Sequence, residues 1–159
     1  MKDNFFSSDG RTLDQQKMVE EIHDYMLLKP NSHYKIIVGS DSQPLNYQNA
    51  DFVAAIVVHR VGNGGRYFWR RLNNARVFGL RDRILKEVIL SLETSVEILK
   101  ILKENISIEF DFEVHVDVGA NGKTSELISE VTGMIRAYNF MFKTKPESYA
   151  ASSVADKHV

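Results

Sequence analysis

Cysteine is missing from this chain of 159 residues. Its absence excludes a disulfide framework, a thiolate metal site and a cysteine nucleophile, and it fits a reducing compartment, so the cytoplasm is the expected location. Long hydrophobic runs are missing too. No stretch approaches the roughly 18 apolar residues of a membrane span, and the opening MKDNFFSSDGRTLDQQ carries no apolar core of a secretion signal. Proline occurs three times, and no internal repeat, low-complexity tract or linker interrupts the chain. A strong charge of one sign is also lacking, since the net charge of −1 argues against a uniformly basic nucleic-acid binder. What is present is 43% hydrophobic residues, enough for a core, in a chain the size of one domain. One domain over residues 1–159 is expected, with residues 1–10 as a flexible arm.

The charge is unevenly spread. Seven of the nine arginines, Arg60, Arg66, Arg70, Arg71, Arg76, Arg81 and Arg83, fall within residues 60–83, where Asp82 is the sole acid and Tyr67, Phe68, Trp69 and Phe78 are interleaved. Arginine among aromatic rings is the composition that grips phosphate and stacks bases. Arg70, Arg71 and Trp69 are therefore candidate substrate-binding residues. The plainer alternative is an exposed basic hairpin beside an acidic helix. Trp69 and Tyr67 have the opposite strand parity from Phe68, so one set enters the core and the other is left to stack on substrate.

Periodicity assigns the elements. Residues 13–28 carry Met18, Val19, Ile22, Tyr25 and Met26 at helical steps, and Lys29-Pro30-Asn31 ends that helix. Residues 34–39 and 52–61 read as strands, the second buried on both faces. The turn Gly62-Asn63-Gly64-Gly65 folds residues 66–72 back antiparallel. Leu85, Val88, Ile89, Leu92, Val96, Leu99 and Leu102 then form one apolar stripe of a long helix over residues 79–105. Residues 106–118 alternate strictly and predict a half-exposed strand. A helix over 123–138, a short strand over 140–144 and a terminal helical segment complete an α/β layout with a mixed five-stranded sheet. The polar face of the 106–118 strand leaves room for a homodimer contact.

Four acids stand out against this layout. Two hairpin returns make the third strand parallel to the first, so Asp41, the start of the long helix, Asp117 and the opening of the last helix meet at one edge. That edge, outside the carboxyl ends of the strands, is where open α/β sheets bind ligands. Among the helix acids Glu87, Glu93 and Glu97, Glu87 is nearest the edge, since Glu93 lies about 9 Å further along the axis. Carboxylates held about 4 Å apart repel by roughly 4 kcal/mol at an effective dielectric near 20, and Mg²⁺ or Mn²⁺ relieves that repulsion. Each acid also has a structural explanation. Asp41 suits an Asx-turn, Asp156 a capping box with Ser153, Glu87 a solvated helix face, and Asp117 the polar face of its strand.

The segments VGSDSQ, HVDVG followed by NGKT, and KPESYAASSVAD, with an acidic helix after three strands, resemble the ribonuclease H-like superfamily and within it the bacterial YkuK-like family, over residues 33–158. The resemblance implies a ribonuclease H-like fold and a predicted nuclease, with Asp41, Glu87, Asp117 and Asp156 as the metal-binding carboxylates. Two Mg²⁺ or Mn²⁺ ions about 4 Å apart would then hydrolyse phosphodiester bonds, with Asp41 bridging them. Asp117 would complete the first ion's shell, and Glu87 and Asp156 would hold the second or orient the water. The substrate would be RNA, DNA or a hybrid. The alternative is a catalytically inactive ribonuclease H-like module that binds nucleic acid or protein.

Two further features bear on substrate. VGANGKT imitates a nucleotide-triphosphate loop, but Asp117 stands where its first glycine belongs and sets a carboxylate beside the anion site. Lys123 and the amides of residues 122–124 remain candidate phosphate contacts at a helix start. His115 shares a strand face with Asp117 and is either a proton shuttle or structural.

Overall fold

The computed structural model describes residues 4–159, apart from the side chains of residues 149–152. In chain order the elements are β1 (Phe5–Ser7), β2 (Thr12–Leu13), α1 (Gln15–Leu27), β3 (Tyr34–Pro44), β4 (Asn49–Arg60) and β5 (Gly65–Arg76). There follow α2 (Leu80–Asn105), β6 (Asp111–His115), a 3-10 turn (Ser125–Leu127), α3 (Ile128–Ala137), β7 (Met141–Lys143) and α4 (Tyr149–His158). The strands form one mixed sheet in the order β2-β1-β5-β4-β3-β6-β7. β6 runs parallel to β3 and to β7, and the other neighbours are antiparallel.

The α/β class and mixed sheet match the expectation from sequence, but the sheet has seven strands and not five. Of the two additional strands, β1 falls in the segment 1–10 expected to be a flexible arm, and β2 falls just after it, taking Leu13 from the start of the expected helix, which begins at Gln15. Phe5 is buried in the main core, and Phe6 and Ser7 pair with Trp69 and Phe68 of β5. Strands of two and three residues are too short for a periodic signal, so tertiary pairing decides them. Residues 1–3 of that arm lie outside the described residues.

The expected long strand over 106–118 shrinks to β6 for a related reason. Its first residues alternate as a strand would, yet Ile106, Ile108 and Phe110 pack as a connection against the α1–α2 core. Only residues 111–115 pair with β3, and of these residues 113–115 also pair with β7. β3, in contrast, runs past residue 39 to Pro44, because β4 supplies a ladder along its whole length.

Helices cover the two faces unequally. On one face α1, α2 and α3 bury apolar stripes against β3, β4 and β6, including Ile36, Val38, Ile98, Leu102, Val114 and Val131. On the other face α4 lies alone across the sheet, with Ala155 packed on Val53 and Ala55. This asymmetry sets the site, because Asp41 and its cross-strand partner Val53 point to the α4 face. Ser40 and Ser42, offset by one residue, point to α2.

Candidate metal centre and its surroundings

The site begins where two parallel strands part. The pairing of β3 with β6 ends at Gly39 and His115, and the chain beyond each carries an acid, Asp41 and Asp117. On the α2 side the Ser40 hydroxyl donates to the Glu87 carbonyl at 2.6 Å and bonds the Ser91 hydroxyl at 2.8 Å. The Ser42 hydroxyl donates to the Glu87 carboxylate. The alternation Ser40-Asp41-Ser42 thus clamps α2 to one face while presenting the acid to the other. Glu87, only 6% exposed, is held at the edge and not on a solvated face.

Asp156 arrives by a different route from the expected one. It does not open the last helix but lies near its carboxyl end, and Ser153 sits inside α4, so the capping-box explanation does not apply. The packing of Ala155 on Val53 brings the next residue beside Asp41, within hydrogen-bonding reach of its carboxyl group. Docking of this end of α4 is completed by rings. His158 stacks on Trp69 at 4.3 Å between centroids, and Phe6 stacks on the same indole at 4.5 Å.

A cleft of about 360 Å³ opens between these elements, lined by Asp41, Asp117, Asp156, Lys145, Ser148 and Ser153. A larger cavity of about 640 Å³, bounded by residues such as Tyr34, Leu99, Lys103 and Phe112, lies at the amino end of β3 and contains none of the four acids. The electrostatics of the cleft are strained. Burial pushes the Asp41 carboxyl up to about 6, with the charges of Asp156 and Asp117 adding to the rise and the Ser42 amide, donating at 2.8 Å, opposing it. Burial pushes Glu87 up to about 8, helped by the charges of Asp41 and Asp117 and opposed by the Ser42 hydroxyl and Arg83.

Nearby cations partly answer the acids. Lys145 pairs with Asp117 at 3.2 Å. The Arg83 Nη1 atom lies 3.9 Å from Glu87 and donates to the Ser42 hydroxyl at 2.9 Å. With the side chains in these positions, no group of three or more His, Cys, Asp or Glu among the described residues could hold a metal ion. The donor set nevertheless suits a hard divalent cation, because it consists of carboxylate oxygens, and burial with the charges of neighbouring acids raises the proton affinity of two of them, Asp41 and Glu87. Lys145 is the group that would have to move.

The sequence candidates outside the acid cluster are scattered. Arg70 is 3% exposed and faces away from α4, bonded to Glu97 at 2.9 Å and to the Thr94 hydroxyl at 2.7 Å. It shares the strand parity of Phe68, which is the signal that would have assigned it inward. Arg71 pairs with Asp51 at 3.0 Å, and Trp69 is enclosed by Phe6 and His158. Lys123 is exposed, but a turn and the 3-10 segment separate it from α3, so it does not open a long helix. His115 is buried, with Nε2 bonded to Glu113 at 2.9 Å, and burial holds its imidazole below the usual value against the pull of Glu113. It does not line the cleft of Asp41, Asp117 and Asp156, but it borders a smaller pocket on the α2 side together with Glu87 and Asp117. Arg83 and Lys145, the cations that do touch the acids, were not singled out from sequence as site residues.

Comparison with known proteins agrees with the fold. Residues 17–159 match the family model described as Ribonuclease H-like, and the chain belongs to the ribonuclease H-like family. Within it the chain is YkuK-like: it is 31% identical over 167 aligned positions to the Bacillus subtilis (strain 168) protein named "Uncharacterized protein YkuK", covering 96% of this chain and 95% of that one. No solved structure matches it significantly. Among the described residues no helix is long and apolar enough to cross a membrane.

Proposed function

We propose that this protein is a metal-dependent nuclease, hydrolysing phosphodiester bonds of a nucleic acid at the cleft between β3, β6, α2 and α4. One observation carries the reading: four separate segments deliver carboxylates to one edge, and burial with mutual repulsion lifts Asp41 to about 6. A fold retains such a cluster at a cost unless a cation or proton occupies it, and strongly perturbed groups in a cleft mark functional sites. Mg²⁺ or Mn²⁺ would be held by Asp41, Asp117 and Asp156, with Glu87 contributing from the α2 side. Bound there, two such ions would supply charge neutralisation and Lewis acidity for attack of water on phosphorus.

The protein's own groups have separate tasks. Lys145 compensates Asp117 in this structure and would be free to contact a substrate phosphate oxygen if Asp117 held a cation. Arg83 orients Ser42 and Glu87 together, fixing the α2 wall of the cleft. A second reading, a binding module of the same fold without catalysis, is favoured by the Lys145–Asp117 pair, which supplies a built-in positive charge.

Labelled RNA, DNA and hybrid duplexes incubated with Mg²⁺ or Mn²⁺ separate the two. The nuclease reading expects cleavage by the wild type and a fall of about 100-fold or more in Asp41→Asn, a loss at least as large as that from disturbing a ligand's supporting shell. Cleavage equal in both would contradict it.

A further inference from the structure

We propose that Phe78 and Tyr47 form a stacking platform for unpaired bases, so that the cleft is fed by a single strand of nucleic acid and not by a duplex. The choice of ligand rests on the nuclease reading above. Phe78 lies between β5 and α2, and its backbone is fixed on both sides. The Val77 amide donates to the Gln48 carbonyl at 2.7 Å, and the Phe78 amide donates to Asp82 at 2.9 Å. Despite this rigid seat the ring is 72% exposed.

Tyr47 is the neighbour of Gln48 on the opposing β3–β4 turn and is fully exposed. That turn is also fixed, because the Asn46 side chain accepts from the Gln48 and Asn49 amides at 2.8 and 2.9 Å. Two aromatic rings are therefore held outward by ordered backbone, one residue on either side of the Val77–Gln48 hydrogen bond. A single exposed ring needs no explanation. A pair on rigid supports beside cations points to a ligand with flat faces and negative charge.

The cations are in position. The Arg76 guanidinium lies 5.1 Å from the centre of the Phe78 ring and the Lys86 ammonium 5.4 Å. Lys86 is paired with Asp82, whereas Arg76 makes no ion pair among the described residues. From the platform the first turns of α2 lead to the acids. Leu80 to Glu87 spans about 10 Å of helix axis, about three stacked base steps of roughly 3.4 Å. Arg83 stands on this path, one turn before Glu87. Unpaired bases offer their faces to aromatic side chains, while bases within a duplex do not.

The test is fluorescence anisotropy in EDTA, where cleavage does not intrude, using a labelled 12-nucleotide RNA, the same DNA sequence, and their duplexes. The wild type is expected to bind single strands more tightly than duplexes. Phe78→Ala should weaken single-strand binding by about tenfold, the loss of one stacked base, and Phe78→Tyr should restore it. In a Trp69→Phe background, Phe78→Trp should lose emission when a single strand is added. Equal binding by wild type and Phe78→Ala, or equal affinity for single strand and duplex, would overturn the platform. So would a self-association, seen by sedimentation, that Phe78→Ala abolishes while nucleic-acid binding is unchanged. Single-strand binding sensitive to Phe78 in a protein that cleaves nothing with Mn²⁺ would keep the platform and sink the nuclease reading; cleavage with binding insensitive to Phe78 would do the reverse.

Discussion

Glu87 and Glu97 sit on the same helix, about 15 Å apart, and their surroundings differ in kind. Glu97 has both oxygens engaged: Arg70 donates to one at 2.9 Å and Gln15 to the other at 2.8 Å. Glu87 is more deeply buried, yet it has a serine hydroxyl and a guanidinium at 3.9 Å as partners and two aspartates as neighbours. The same contrast holds for the buried cation Arg60, which donates to the Tyr34 hydroxyl at 3.0 Å and the Tyr25 carbonyl at 2.7 Å and lies over the Tyr25 ring at 4.0 Å. The fold gives its buried cations Arg60 and Arg70 carbonyl, hydroxyl or carboxylate partners, with the Arg70 Nε left without one, and leaves its buried carboxylates at one sheet edge short of positive charge. A cluster of buried acids left short of counter-charge at one sheet edge is the kind of local violation expected at a functional site.

The largest effect expected from probing this contrast is on the satisfied side. Glu97→Gln leaves Arg70 buried without its counter-charge, which should cost about 2–4 kcal/mol of stability and lower the melting temperature by roughly 5–15 °C. Cleavage per folded molecule, measured well below that temperature, should not change. Unchanged melting would mean that Glu97 is no better satisfied than Glu87.

Glu87→Gln should act in the opposite direction, and its effect depends on pH. The folded carboxyl is raised from 4.5 to about 8, so between those values the unfolded chain releases a proton that the folded protein keeps. Glu87 therefore imposes no penalty below about pH 4.5, and stability falls as pH rises towards 8. Removing the ionisable group should stabilise the protein by about 2–4 kcal/mol at pH 7 and by almost nothing at pH 4, while impairing cleavage. Asp41 contributes with the same sign over its own window, from 3.8 to about 6. Melting curves from pH 4 to 8 check this, and a Glu87→Gln variant less stable than wild type at pH 7 would break the contrast.

The smallest effect belongs to the stack that seats α4. His158→Ala should cost about 1 kcal/mol and alter the emission of Trp69, the sole tryptophan. Because that stack helps hold Asp156 beside Asp41, the variant should also weaken Mn²⁺ binding by a few-fold without unfolding the protein. Unaltered emission would mean that the rings do not stack in solution.

How much of this was legible in the sequence follows from the range of each interaction. The stripe of α2 and the doubly buried run of β4 are dictated by local periodicity, and they imply the parallel return that brings Asp41 and Asp117 to one edge. β1 and β2 were not legible, because strands of three and two residues have no period and exist only through pairing, β1 with β5 and β2 with β1. Residues 106–110 alternate like a strand but lack partners, so their pattern serves packing instead. The arginines were counted as one patch, although strand parity sends Arg70 inward and cross-strand partners occupy Arg71. The contacts of Lys145 with Asp117 and of Arg83 with Ser42 and Glu87 join segments distant in sequence, which periodicity does not report.

The most direct measurement is a calorimetric titration of Mn²⁺ into the wild type, Asp41→Asn and Glu97→Gln at pH 7.5. The wild type and Glu97→Gln should bind Mn²⁺ saturably and alike, with proton release as Glu87, raised to about 8 and so largely protonated at this pH, ionises, and Asp41→Asn should lose most of that heat. No saturable binding by the wild type, or binding by Asp41→Asn equal to it, would contradict the assignment of the acidic cluster as a metal centre.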